Sequence, residues 1–219
     1  MKLCNRTRSA LDFLLQCKNI SRIVGALVNL EVVTRLSEVC CQQVVKDGAL
    51  PVIFKVIKKC NRSLPHLEVI KYSITILFNV VKYPSVYRAV FEEPDSVDTL
   101  VELLANFRDK TFVFSKTCCL LVVLCRDSSI AQEILNMTKI VEDIKSVHNI
   151  AERNHRLEAK RNKIKSKVDK NTCQLAPPTP FKGKKSNSLK WQRRMDMVQD
   201  PLEAVRLLVR RLGLVGLDE

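Results

Sequence analysis

The chain has 219 residues, 46% of them hydrophobic and 27% charged, and a formal net charge of +14. That hydrophobic fraction is typical of a folded protein, whereas 5 scattered glycines exclude the clustered glycines of a nucleotide-binding loop. Low glycine content and abundant Leu, Val, Ile and Lys favour an all-α fold.

Hydrophobic periodicity predicts helices along almost the whole chain. Pro65 is expected to open a helix in its first turn, and the step from Tyr83 to Pro84 to end it. Gly48 fits the left-handed position after a helix. The predicted helices span residues 10–17, 20–36, 38–46, 51–60, 65–82, 86–92, 96–107, 112–126, 128–136, 138–160 and 200–212.

Two stretches of the chain follow one pattern. A short turn, a helix, a loop and a long apolar helix occupy 46–81, and the same order returns in 93–125, about 47 residues later. A period of 40–47 residues with two or three helices per unit is typical of armadillo and HEAT repeats. One unit cannot bury its apolar face alone, so we expect an armadillo/HEAT-like helical repeat solenoid over residues 1–160.

The turn at 48–51 (GALP) and the run 76–80 (ILFNV) resemble the armadillo consensus. In armadillo ladders the asparagine of that run lines the concave groove and holds the backbone of an extended peptide. The resemblance implies this role for Asn79. A helix-capping or solvent-facing asparagine is the alternative.

Most of the net charge lies in one segment. Residues 151–195 carry 14 Lys or Arg and 3 Asp or Glu. The candidate contacts for an acidic partner are Arg153, Arg156, Lys160, Arg161, Lys163, Lys165 and Lys167. An acidic tubulin surface, nucleic acid, a calmodulin-type partner and a merely solvated helix end are the alternatives; nucleic acid is disfavoured because aromatic residues are not interleaved.

Residues 161–199 predict a basic, disordered linker rich in proline, serine and lysine. Within it, Thr179 begins a Thr-Pro-Phe-Lys run that matches the minimal preference of cyclin-dependent kinases. Phosphate at Thr179 would add about −1.5 to −2 charge beside the basic segment. Residues 200–219 form a third part, in which Asp200 caps and Pro201 opens an amphipathic helix expected to dock back onto the repeats.

Nine cysteines and three histidines are present, but no Cys-x-x-Cys pair and no zinc-ligand spacing occur. Adjacent cysteines in apolar helices are typical of small, reduced core residues. We expect no metal, no cofactor and no enzymatic activity. The longest apolar stretches, 73–81 and 117–125, are too short to cross a membrane, and a soluble, non-secreted protein is expected.

Several segments together resemble the C-terminal region of the abnormal spindle family of microcephaly-associated spindle-pole proteins. They are 22–44, 60–63, 116–121, the Trp191–Arg194 stretch and 200–214. The resemblance implies an armadillo-like domain of a protein that acts at microtubule minus ends and spindle poles in mitosis and meiosis. It implies cytoplasmic and cytoskeletal locations, with the nucleus in interphase.

Family members bind calmodulin through IQ motifs, which this sequence lacks. Calmodulin is therefore expected as a partner only of other parts of such proteins. The sequence predicts a non-catalytic interaction scaffold for microtubules or spindle-associated proteins. The alternative is a basic helical-repeat module that binds nucleic acid or an acidic protein outside the spindle.

Overall fold

A computed structural model describes residues 8–168 apart from 9, 15 and 18, and residues 198–214 apart from 199. For 162–168 it describes the backbone alone. The helices with defined bounds are α1 Ile20–Leu36, α2 Glu38–Lys46, α3 Ala49–Lys58, α4 Leu64–Val81, α5 Tyr87–Glu92, α6 Ser96–Asn106, α7 Thr111–Leu124, α8 Ser128–Asn136, α9 Thr138–Val168 and α10 Pro201–Arg211. Residues 10–14 are helical too, and the described residues contain no strand, which confirms the all-α prediction.

Short polar side chains fix where several helices begin. The Asn19 side chain accepts a hydrogen bond from the backbone N–H of Arg22 at 3.2 Å, and Ser37 does the same for Cys40 at 3.2 Å. Such caps satisfy backbone donors that have no partner within the helix. Asp200 caps α10 in the same way, as the sequence predicts.

The junction between α2 and α3 depends on Gly48. Its φ of 79° lies in the left-handed region, where glycine carries no steric penalty. The sequence predicts a helix from Pro51, but α3 begins at Ala49, because the backbone can turn at Gly48 and re-enter a helix at once. Pro51 still lies in the first turn, where a missing N–H leaves no intrahelical bond unmade.

The helices stack in two rows. Helices α1, α4, α7 and α10 pack side by side in that order and form the first row. The second row is formed by α3, α6 and α9, which contact one another in order and pack against α4, α7 and α10 respectively. Since α4 and α7 begin 47 residues apart, the predicted helical repeat is confirmed.

Helices α2–α4, α5–α7 and α8–α10 form three successive units, and the third contains the basic segment as an insertion. Helices α8 and α9 occupy the positions of α5 and α6, and α10 packs against α7 as the next member of the first row. Between them, α9 continues past its buried residues Ile140, Ile144 and Val147 to Val168. The first eight residues of the predicted 161–199 linker are thus helical, and residues 169–197 lie outside the described part.

Helix α10 docks back onto the repeats, as predicted. Leu202, Val205 and Leu208 are buried among the residues of the common core. At its end, the Arg211 guanidinium donates hydrogen bonds to the carbonyl oxygens of Cys125 and Arg126, both at 2.9 Å. A cation at the C-terminal end of α7 also interacts favourably with the helix dipole.

Helix α4 is the most apolar long helix among the described residues. By length and composition it could cross a membrane, with a mean hydropathy of 1.2 over 18 residues. Of these residues, 56% are buried inside the protein, between α1 and α7. The apolar stretch predicted at 73–81 is therefore the second half of a longer core helix.

The cysteines that the structure describes are free, and several lie in the core. Cys41, Cys118, Cys119 and Cys125 are buried. Burial raises the pKa of the Cys41 thiol to about 11 and that of Cys125 to about 12. A thiol with a raised pKa is a poor nucleophile near neutral pH.

The carboxylate of Asp127 joins the second and third units, and its hydrogen bonds indicate that the stability of the fold depends on pH. The Tyr87 hydroxyl donates to its carboxylate at 2.7 Å, and Ser129 donates through both N–H and hydroxyl at 2.8 Å. These hydrogen bonds to the charged form lower the pKa of Asp127 to about 2. Because the folded pKa lies below the unfolded one, the stabilisation is present above about pH 4 and is lost as the pH falls toward 2.

We therefore expect Asp127→Asn to lower the urea midpoint at pH 7 relative to the native chain. The difference between the two chains should narrow at about pH 2.5, where the native carboxylate is partly protonated. Urea titrations of both chains at the two pH values measure this. If the difference in urea midpoint is the same at both pH values, the effect of the substitution does not come from the charge of Asp127.

Candidate interaction surface

Asn79 lies in the core, where α4 packs against α1. Its side-chain amide donates to the Thr34 hydroxyl at 3.2 Å, and that hydroxyl donates to the Glu31 carbonyl at 2.9 Å. The Cys41 thiol completes the network by donating to the Thr34 carbonyl at 3.0 Å. The amide of Asn79 is thus used to join α4 to α1, and it does not line an open groove as the armadillo resemblance implied.

The predicted basic contacts lie on the free part of α9. Arg153, Arg156, Lys160 and Arg161 are exposed. Lys163, Lys165 and Lys167 lie further along the same helix, and their side chains are outside the described part, as is the whole of Thr179. The structure thus brings the four described cations together on one projecting helix.

The base of this helix is anchored to α10 through Glu152. The Arg206 guanidinium donates to the Glu152 carboxylate, with 2.7 Å between Nε and Oε1. His148 Nε2 lies 3.8 Å from Oε1, and Arg156 Nε lies 4.0 Å from Oε2. One carboxylate therefore holds cationic groups from both helices at the point where α9 leaves the stack.

Sequence reasoning missed this anchor. His148, Glu152 and Arg156 are spaced four residues apart on one helix, and this spacing could have predicted the contacts within α9. Arg206 lies 54 residues from Glu152, and no local pattern connects the two.

A groove of about 300 Å³ lies along the side of α9 that carries His148 and Glu152. It is lined by His148, Asn149, Glu152, Arg153, Arg156, Leu157 and Lys160. The His148 ring is 3% exposed, and its Nδ1 has no hydrogen-bond partner within the described part of the chain. Leu157, by contrast, is 45% exposed. The groove thus combines cations, an apolar contact and an unpaired buried nitrogen.

A second, smaller cavity of about 190 Å³ lies where α4 and α7 end. Tyr87 and Asp127 are among the residues that line it. These two are already hydrogen-bonded to each other. This cavity therefore lies at a contact between two units, and the α9 groove is the stronger candidate for a partner-binding site.

Stacked three-helix units with a basic segment inserted in the third define an all-α helical-repeat protein. Over 97% of its length the chain is 36% identical to the abnormal spindle-like microcephaly-associated protein of Homo sapiens and to its homologues in Canis lupus familiaris and Macaca mulatta. The resemblance predicted from the sequence is confirmed. The chain spans 7% of the length of these relatives.

Neither of the other two comparisons gives a match. No protein-family model matches the chain, and no solved structure resembles it significantly.

Proposed function

We propose that the chain is a non-catalytic interaction scaffold of the mitotic and meiotic spindle, located at spindle poles and the cytoskeleton. The names of its relatives, which refer to the spindle, support the setting. The observation that carries the interaction role is the projecting part of α9, whose four described cations lie outside the packed units. An exposed row of cations is suited to an acidic polymer surface.

The partner that we propose for this helix is the acidic surface of microtubules. Calmodulin is not proposed as a partner of this chain, because the sequence contains no IQ motif. Phosphate on Thr179 would place negative charge in the same segment and weaken its contact with an acidic surface. Thr179 is therefore proposed as a site that releases the contact during the cell cycle.

A non-catalytic role is supported by the chemistry of the described residues. No group of three or more His, Cys, Asp and Glu side chains is placed to hold a metal ion among them. Burial raises the pKa of the Cys41 and Cys125 thiols, which disfavours nucleophilic catalysis. Catalysis needs a nucleophile, a base and an orienting group that converge, and the α9 groove offers cations instead.

Microtubule co-sedimentation of the full chain tests the proposal. We expect the native chain to pellet with microtubules at low salt and less at physiological salt, since exposed charge pairs are screened. Replacing Arg153, Arg156 and Arg161 by Gln should weaken binding by about tenfold, as each exposed ion pair contributes about 0.2–1 kcal/mol.

The matched control replaces Lys46, Lys55 and Lys59 by Gln. These lysines are exposed on α2, on α3 and at the end of α3, far from α9 in the order of the stack. The control has the same net charge as the variant with three substitutions on α9 and should pellet nearly as well as the native chain. Equal loss in both variants would show that only net charge matters, and no pelleting of the native chain would reject the microtubule as partner.

A further inference from the structure

We propose that the α9 groove binds an acidic helix, whose carboxylates pair with Arg153, Arg156 and Lys160 while an apolar side chain packs on Leu157. This inference rests on the proposed function and gives it a specific site. It predicts a fixed spacing between the paired cations and carboxylates, beyond a general attraction between opposite charges.

The spacing of the groove residues sets that register. Asn149, Arg153, Arg156 and Lys160 follow at intervals of four, three and four residues, which places them on one face of α9. At about 1.5 Å per residue, the three cations are separated by rises of about 4.5 and 6 Å. Acidic residues three and four apart on a second helix have the same rises, so two such helices match when they lie side by side.

The distribution of charge favours carboxylates over a single phosphate. The cations extend over about 10 Å of the helix axis instead of converging on one point. Glu152 would oppose an anion at the base of the groove, but its carboxylate is bound by Arg206. The rest of the groove stays positive along its length.

His148 gives an independent reason to expect a ligand here. Its ring lines the groove, is 3% exposed and has an Nδ1 atom without a hydrogen-bond partner among the residues that the structure describes. Buried polar atoms in folded proteins are nearly always paired. The unpaired nitrogen therefore indicates that a polar partner is missing beside the groove.

Fluorescence anisotropy with a designed peptide tests the site. The probe is a labelled helical peptide of about 15 residues, with Glu at relative positions 1, 4 and 8 and a Leu on the same face; a scrambled peptide of equal composition is its control. Replacing Arg153 and Lys160 by Gln in the full chain should weaken binding of the probe by about tenfold. Leu157→Ala should weaken it by several-fold, and as Leu157 is 45% exposed the fold should be unaffected.

The matched variant replaces Lys139 and Arg161 by Gln. Both residues are exposed on the same helix, and neither is among the residues that line the groove, so we expect less than a threefold loss, and the scrambled peptide should not distinguish the two double variants. Equal losses in both would overturn the groove and leave the proposed function standing. Absence of binding to either peptide, together with no pelleting on microtubules, would reject both. Tighter, groove-dependent binding of a single-stranded oligonucleotide would overturn the class of partner.

Discussion

Replacing Leu208 with Asp is expected to detach α10 from the stack and to lower the free energy of unfolding by more than about 4 kcal/mol. Leu208 is fully buried, at 0% exposure, where α10 packs against both α7 and α9. A carboxylate there would be removed from water, and burial of a charge is strongly unfavourable. The apolar side of α7 that α10 covers would also be exposed to water.

Urea unfolding and limited proteolysis measure this effect. Since each unit in a repeat stack contacts only its neighbours, we expect the third unit to be digested while the first two stay protected. The control is Arg210→Asp, a charge reversal on the exposed side of the same helix, which should change stability little. A native unfolding midpoint for Leu208→Asp would show that α10 contributes little to the fold.

Phe78→Ala is expected to cost about 3–5 kcal/mol, the range for a buried phenylalanine. Phe78 is 1% exposed on α4, and α4 packs against both neighbouring helices of the first row. Two ammonium groups lie over its ring: Lys116 Nζ at 3.9 Å and Lys82 Nζ at 4.8 Å from the ring centroid. The substitution therefore creates a cavity and removes cation–π contacts at once.

Two further variants separate these causes. Phe112→Ala removes an equal side chain that is 47% exposed, and it should cost much less. Phe78→Leu keeps most of the apolar volume but lacks the ring, so its cost reports the aromatic contribution. Equilibrium unfolding in urea measures all three, and equal costs for Phe78→Ala and Phe112→Ala would contradict the core position.

The helices that were predicted well have local signals. Pro65 lies at the start of α4, and Asp200 with Pro201 begins α10, because capping and proline geometry involve only adjacent residues. The apolar period likewise predicted the repeat. The predicted end of α9 at residue 160 falls short of Val168, because the apolar period that predicts a helix stops where the projecting part begins, although no breaker ends the helix there.

The candidate site was predicted only in part, because several of its contacts join residues that lie far apart in the sequence. Arg153 and Arg156 are visible as a charge run, but the burial of His148 depends on helices far away in sequence. The link from Glu152 to Arg206 spans the whole insertion. Asn79 illustrates the opposite error: its local run resembles a peptide-binding consensus, whereas its partner Thr34 lies 45 residues earlier.

The position of the basic segment between α9 and α10 has a mechanical consequence. The chain leaves the stack at α9 and returns at α10. Helix α9 packs against α6 and α10 packs against α7, and both of these partners belong to the second unit. A pull on a partner bound to this segment is therefore borne at two attachment points within a single unit.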